Sequence, residues 1–387
     1  MAGAGLGHKS LAESKDRTVG TVMLGLLKLL LSAVVVLGFS VVGNRAAACT
    51  HPSIRREWRK LSKPERAEWI SAINCLARLP HDDALTPIVN RSISNIPAVN
   101  TSGSYWDDLV YIHMDLNTRI HSTGFFFPFH RFYVHAIETA MKERCGYTGA
   151  FPYWDWSIDA HDVEHSPLFE DTNPISGLGG WGDPAHDIQV QTGGFRHLAL
   201  AYPVPHGLRR NFTLQPFLPF ASVPVFTAPA QYANVSFTPE KVRALVEWTP
   251  GDFVGFQFAM EFPEGPHASV HFILGGDLAG QCPEGSPPDC FPQPTFSANE
   301  PVFFLHHAMV DKVWSDWQNT DPAHNFWAFE GGSVQNITSL QALHDYPNGM
   351  APPLTLDSVI PADGMFPEVT IRDVMNTTGG YLCYVYE

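Results

Sequence analysis

The sequence predicts a mainly α fold, a central four-helix bundle with long loops and a few short strands. Three observations lead to that expectation. Apolar residues recur at helical spacing in two separated pairs of segments, residues 105–119 with 129–144 and residues 266–273 with 301–318. Both pairs carry histidines in apolar surroundings, so the helices have polar atoms to gather in a shared interior. The stretches between them are rich in proline and glycine (32 and 31 residues in the chain) and lack clear periodicity, which reads as long packed loops.

In chain order, the first segment is a leader. Residues 21–43 are an apolar run interrupted only by Lys28, preceded by Lys9, Lys15 and Arg17, and followed by Ala46-Ala47-Ala48, an A-x-A cleavage pattern just before Cys49. The run is also long enough to span a bilayer, so residues 1–48 are expected to be a signal peptide or a signal anchor of type II topology. Either way residues 49–387 enter the secretory route as one domain, held at a membrane only if the leader stays uncleaved. Six N-x-S/T sequons, at Asn90, Asn100, Asn211, Asn234, Asn336 and Asn376, agree and anticipate N-glycans.

Residues 53–79 follow with helical spacing (Ile54, Trp58, Leu61, Trp69, Ile70, Ile73, Leu76, Leu79), restarted at Ser62-Lys63-Pro64-Glu65 by a capping serine and an early proline. Cys145-Gly146 closes the helix of residues 129–144. About eighty residues after Trp156 are expected to be loops with short strands, and residues 352–387 loops and strands again. An oxidising compartment makes the six cysteines three disulfides. Cys282 and Cys290 would close a Pro/Gly-rich loop and pair first; Cys75–Cys145 and Cys49–Cys383 are one choice among the remaining connectivities. A formal charge of −15 argues against nucleic acid or an anionic membrane surface as partner and says little about a small neutral substrate.

Eighteen histidines invite a metal hypothesis. A first set is His113, in the apolar segment Leu109-Val110-Tyr111-Ile112-His113, then His121, then His130 within Phe125-Phe126-Phe127-Pro128-Phe129-His130. Spacings of eight and nine cannot place all three on one helix face, but helix, loop and facing helix can supply one ligand each. A charged imidazole is costly among such aromatics, whereas a neutral one on a metal is well placed. A second set is His267 and His271, on one helix face at i and i+4, with His307 from Leu305-His306-His307-Ala308. Asp311, one turn beyond His307, is a candidate acceptor for orienting an imidazole. Each histidine alone is more simply a core residue; two trios in two helix pairs are not. Three imidazoles per metal without thiolate or carboxylate suit copper or zinc. Zinc hydrolysis wants a carboxylate base within the H-x-x-x-H segment, and Ala268 stands there, which favours copper.

At these residues the chain resembles the tyrosinase family, and most closely its short secreted fungal members. His121 to Glu138 is similar to the family's first copper-site signature, and Pro301-Val302-Phe303-Phe304 through His307 to Asp311 to its second, with Glu300 in place of the usual Asp. Pro152-Tyr153-Trp154-Asp155-Trp156 and Tyr384-Val385-Tyr386 match further landmarks, so the likeness runs over residues 49–387. It implies two copper ions in one coupled type-3 site, His113, His121 and His130 on one and His267, His271 and His307 on the other, with the role of His306 open. It implies dioxygen and a small phenolic substrate as reactants: an o-diphenol oxidised to quinone, a monophenol hydroxylated, o-aminophenols as further candidates. A phenol-tailoring oxidase of secondary metabolism and a reversible oxygen carrier are the alternatives within the same site chemistry.

Departures from the pattern bear on substrate. Arg119 stands where some members carry a cysteine joined to the second ligand, so that crosslink cannot form. Ala268 stands where good monophenol hydroxylases have Asn. Glu261 is the candidate water-holding carboxylate, Glu264 a lesser one, and Phe296 a candidate gate or a core residue. Diphenol oxidation is therefore the expected main activity. The chain is also expected to lack the C-terminal shielding domain of longer relatives. His161 and His165 repeat the i, i+4 spacing in a polar stretch and read as surface loop; Arg131 and Glu138 read as structural partners.

Overall fold

A computed structural model describes residues 49–387 apart from 90–95, 224, 227, 289 and 291–293; the expected leader and the sequon at Asn90 lie outside the described residues. Seven helices organise the domain: α1 (Lys63–Leu76), α2 (Tyr105–Ile120), α3 (Phe126–Cys145), α4 (Pro239–Val246), α5 (Phe253–Glu261), α6 (Pro266–Leu274) and α7 (Val302–Thr320). The predicted bundle is present. α3 packs on α2 and α7, and α6 packs on α7, so the two histidine-bearing pairs share one interior.

Local chemistry sets the helix ends. Ser104 caps α2 by accepting from the Asp107 N–H at 3.2 Å while the Asp107 carboxylate accepts from the Ser104 N–H at 2.7 Å. Gly146 ends α3 at φ 68°, a left-handed position that glycine occupies without strain, and its N–H returns to the Met141 carbonyl. Pro266 opens α6, where its missing N–H costs nothing.

Three expectations need correction. Residues 53–61 are not helical: Ser53–Arg55 is a strand paired in parallel with Tyr384–Tyr386, followed by a 3-10 turn at Trp58–Lys60. The helical spacing of Ile54, Trp58 and Leu61 is overridden by pairing with the far end of the chain. α4 and α5 are helices that the periodicity did not announce. In α5 the segment Phe-Val-Gly-Phe-Gln-Phe-Ala-Met-Glu is apolar nearly all round, so no face stands out. Finally, Asp311 orients no imidazole.

Asp311 instead closes a buried charge network. Its carboxylate accepts from Tyr384 Oη at 2.6 Å, Tyr386 Oη at 2.5 Å, Arg55 Nη1 at 3.4 Å and Arg131 Nε. Arg55 Nη2 also donates to Glu138 at 2.8 Å, and Arg131 donates to the carbonyls of Val374 and Met375, both at 3.0 Å. Both guanidinium groups are fully buried, and each lies over an aromatic ring, Arg55 on Tyr384 at 3.5 Å and Arg131 on Trp314 at 3.6 Å. Arg131 and Glu138 are thus structural partners, as anticipated. The three disulfides join Cys49–Cys383, Cys75–Cys145 and Cys282–Cys290, the connectivity chosen from sequence. Among the described residues no helix is long and apolar enough to cross a membrane.

Removing one partner of such a network strands the others without solvent. Asp311→Ala is expected to lower unfolding free energy by roughly 3–5 kcal/mol, read from the midpoint in guanidinium chloride; a loss below about 1 kcal/mol would show the network to be incidental.

Candidate metal centre

His113 projects from the middle of α2, His121 is the residue that ends that helix (φ −121°, ψ 140°), and His130 lies in the second turn of α3. Their ring centroids are 5.1 Å (His113 to His121), 5.8 Å (His113 to His130) and 5.1 Å (His121 to His130) apart. Each Nδ1 donates to a backbone carbonyl: His113 to Thr295 at 2.9 Å, His121 to Asn117 at 3.1 Å, His130 to Phe126 at 2.7 Å. A carbonyl oxygen only accepts, so Nδ1 carries the proton and Nε2 keeps a lone pair. All three Nε2 atoms are buried without a partner.

The second group holds four imidazoles. His267 and His271 face the same way from α6, their rings 4.6 Å apart, and His306 and His307 enter from α7. In each group the candidate ligand atoms lie within 4.8 Å of one another. His271 Nδ1 donates to the Leu278 carbonyl at 2.9 Å, which leaves its Nε2 facing His307 Nε2 at 3.4 Å. Both nitrogens of His267 and of His306 are buried and unpartnered. The groups adjoin: His130 stacks on His307 at 4.1 Å with 10° between planes, and His121 lies 5.9 Å from His267. The His306 ring lies among the second group, 4.9 Å from His271 and 5.5 Å from His267, and reaches Trp156 at 6.3 Å. Its neighbour His307, the ligand that the resemblance implies, is the one whose ring stacks on His130 of the first group.

Burial governs the protonation of all seven. Loss of hydration pushes His113, His130, His267, His306 and His307 well below the ordinary imidazole value, His121 to about 4 and His271 to about 3. The rings are therefore neutral across the physiological range. A buried polar atom without a partner costs about 1–3 kcal/mol, and here many lone pairs converge from two sides. A cation that accepts them resolves the cost. Neutral imidazoles without thiolate or carboxylate among them fit copper.

A cavity of about 450 Å³ opens beside His121, His267 and His271 and includes Glu261 and Ala268 in its wall. The Glu261 carboxylate accepts from the Ser122 N–H at 2.5 Å and from Gln257 Nε2 at 2.9 Å, and burial pushes its acid up to about 8. Ser122, next to His121, holds φ at 49°, the left-handed region, in making that contact. Glu264 turns away and accepts from the Ala228 N–H. The gate role for Phe296 does not hold: the residue is 3% exposed, belongs to the core, and lies outside the cavity wall. Its segment packs along α2, and its neighbour Thr295 supplies the carbonyl for His113. Phe220, Phe226 and Phe272 wall the cavity instead, two of them from a segment whose lack of periodicity hid them. His161 and His165 are exposed and join neither group.

Known proteins give the same picture. The common central domain of tyrosinase matches residues 103–320. A tyrosinase-like protein, phomQ1 of Diaporthe leptostromiformis, is 30% identical over 364 residues, 89% of this chain and 80% of the relative. The N-acetyl-6-hydroxytryptophan oxidase ivoB of Emericella nidulans is 28% identical over 377 residues, 87% and 92% of the two chains. Among solved structures, a mutant polyphenol oxidase from Thermothelomyces thermophila superposes with a TM-score of 0.62 at 27% identity, covering 87% of this chain and 89% of the other.

Metal uptake tests the two groups directly. Elemental analysis after copper loading is expected to find about two ions per chain, and clearly fewer for His130→Ala, His271→Ala and His307→Ala, each of which removes one of three lone pairs around an ion. His306→Ala is expected to keep the full complement. Unchanged uptake in the first three variants would remove the metal reading.

Proposed function

The chain belongs to the tyrosinase family of type-3 copper oxidases, and we propose that within it this protein oxidises o-diphenols to quinones with dioxygen, takes o-aminophenols as well, and hydroxylates monophenols only weakly. The observation that carries this reading is the pair of facing imidazole groups that opens, through His121, His267 and His271, onto an apolar cavity large enough for an aromatic ring. His113, His121 and His130 would hold one copper ion and His267, His271 and His307 the other. Bound there, the metal pair would supply dioxygen binding and accept the two electrons that the catechol gives up along with two protons.

The protein's own side chains decide which phenol is served. The mostly apolar wall suits an aromatic ring, which would stack against a ligand imidazole. A catechol has two adjacent hydroxyls to present and needs no new oxygen. A monophenol must first lose its proton, and the nearby groups assist poorly: Glu261, raised to about 8, is largely protonated at neutral pH, and Ala268 has no polar atom. The open cavity also weighs against a purely reversible oxygen carrier. Likeness to an oxidase of a hydroxylated tryptophan favours, as a second reading, tailoring of a phenol in secondary metabolism. Passage through the secretory route, with N-glycans, remains part of the proposal and is supported by the three disulfides.

Copper-loaded protein given 4-tert-butylphenol, 4-tert-butylcatechol and 2-aminophenol is expected to oxidise the catechol at least about tenfold faster than the phenol, the gap of roughly 1.4 kcal/mol in barrier that a missing proton acceptor would readily account for. Comparable rates would overturn the diphenol assignment, and reversible oxygenation without quinone would favour the carrier. Ala268→Asn is expected to narrow the gap. Because Glu261 accepts a proton only when ionised, monophenol turnover is expected to rise with pH up to a midpoint at or below about 8, since bound copper pulls the value down. A rise that survives in Glu261→Gln would exclude this group as the proton acceptor.

A further inference from the structure

We propose that the cavity beside His267 and His271 selects phenols whose ring substituent is uncharged and apolar, and disfavours carboxylate-bearing and amino-acid substrates. This rests on the oxidase reading above and narrows it. The first observation is in the chain itself. Sixteen per cent of its residues are charged, yet residues 211–239 contain no Asp, Glu, Lys, Arg or His. Phe217, Ala233 and Phe237 of that segment join the core, but the segment does not end there. It folds over the mouth of the site and supplies Phe220, Val223, Val225 and Phe226 to the cavity wall.

The second observation is how the wall is built. Phe220 and Phe226 stack at 5.1 Å with 20° between planes. Both also meet Phe272, at 5.6 and 6.1 Å. Phe272 directly follows His271, so this aromatic face begins at the metal-binding helix. Across the cavity, Phe258 and Phe262 of the α5 end lie 4.7 Å apart and form the opposing face. A substrate whose hydroxyls meet the imidazoles must run its substituent between these faces.

Nothing there receives a charge. Among the described residues the wall contains no lysine or arginine, and its polar side chains Asn117, Thr118 and Gln335 are neutral. Its one acid, Glu261, already accepts from Ser122 and Gln257. A carboxylate entering this space gives up its hydration without an ionic partner, a penalty that an ester of the same length avoids. The acidic chain adds repulsion of the same sign.

The copper-loaded full chain tests this with 3-(3,4-dihydroxyphenyl)propanoate, its methyl ester and L-dopa at pH 7. Two methylenes separate the charge from the ring, so intrinsic reactivity is matched between acid and ester. The ester is expected to exceed both charged catechols by tenfold or more in kcat/KM, mostly through KM; an ester-to-acid ratio within threefold overturns the inference. Val223→Lys, which adds a cation to the wall, is expected to shrink that ratio severalfold, and a ratio unmoved by it overturns the assignment of this wall. If no catechol of any charge is oxidised, the oxidase reading itself fails; if all three are oxidised equally, only the selectivity does.

Discussion

Seven imidazoles held neutral in a dry interior are the constraint on which the rest of this structure turns. Water would satisfy their nitrogens cheaply, but aromatic side chains exclude it. Phe126 and Phe303 lie against the rings themselves, and Tyr133 and Phe304 continue the packing outward. Four of the seven have Nδ1 committed to a backbone carbonyl, which fixes both the tautomer and the direction in which Nε2 looks. The backbone that would otherwise only connect elements becomes the outer support of the site. The carbonyls of Thr295, in a 3-10 turn, and Leu278, in a loop, serve in this way as much as the helical carbonyl of Phe126. Lone pairs so directed, without protons and without solvent, have a cation as their natural complement.

The buried ion network is tied to that site by one helical turn and one peptide bond. Arg131 follows His130 in α3, and Asp311 stands four residues beyond His307 in α7, so the Arg131–Asp311 pair fastens the two helices beside the point where His130 and His307 stack. Arg55 on the first strand and Tyr384 and Tyr386 on the last converge on the same carboxylate, and Cys49–Cys383 joins those strands covalently. The ends of the domain therefore meet behind the metal-binding helices. Two guanidinium groups against two carboxylates, all buried, form a balanced set whose geometry admits little sliding of α3 on α7. A shift of one helix along the other would separate the two imidazole groups, which gives this distant closure a direct bearing on the site.

How much of this was legible follows from which interactions are local. The two histidine groups could be read because all their members except His121, at the end of α2, sit in strongly apolar helical segments and two share a face at i and i+4. The helix start at Ser62 and the helix end at Gly146 were legible for the same reason. The strand Ser53–Arg55 was not, because Ile54, Trp58 and Leu61 satisfy a helical spacing and only the partner strand at residues 384–386 makes the segment extended. Asp311 looked like a partner for imidazole from its place on α7; tyrosines and arginines from elsewhere in the chain claim it. Phe296 stayed open between gate and core because closeness in sequence to the last ligand does not say where a ring packs; it packs in the core. His306 and His307 are neighbours with the same chemistry, and their ring contacts, His307 on His130 and His306 near Trp156, exist only in the fold.

That division between local and distant information also separates what the family holds in common from what distinguishes this chain. Metal donors and their helices obey a chemistry with few solutions, which is consistent with a fold shared with a polyphenol oxidase at 27% identity. The substrate wall obeys no such rule. Its aromatic rings come from α5, from the residue after His271 and from a charge-free loop, three parts of the chain that meet only in the folded state. Glu261 reaches the site across the same fold, bound to Ser122, whose unusual backbone angle places an N–H against the carboxylate. The carbonyls that hold His113, His121, His130 and His271 belong to Thr295, Asn117, Phe126 and Leu278, outside that loop, so on the proposed reading a change in the loop would alter the wall and leave these supports in place. The oxidative chemistry and the identity of the phenol are thus carried by structurally separable parts of one domain.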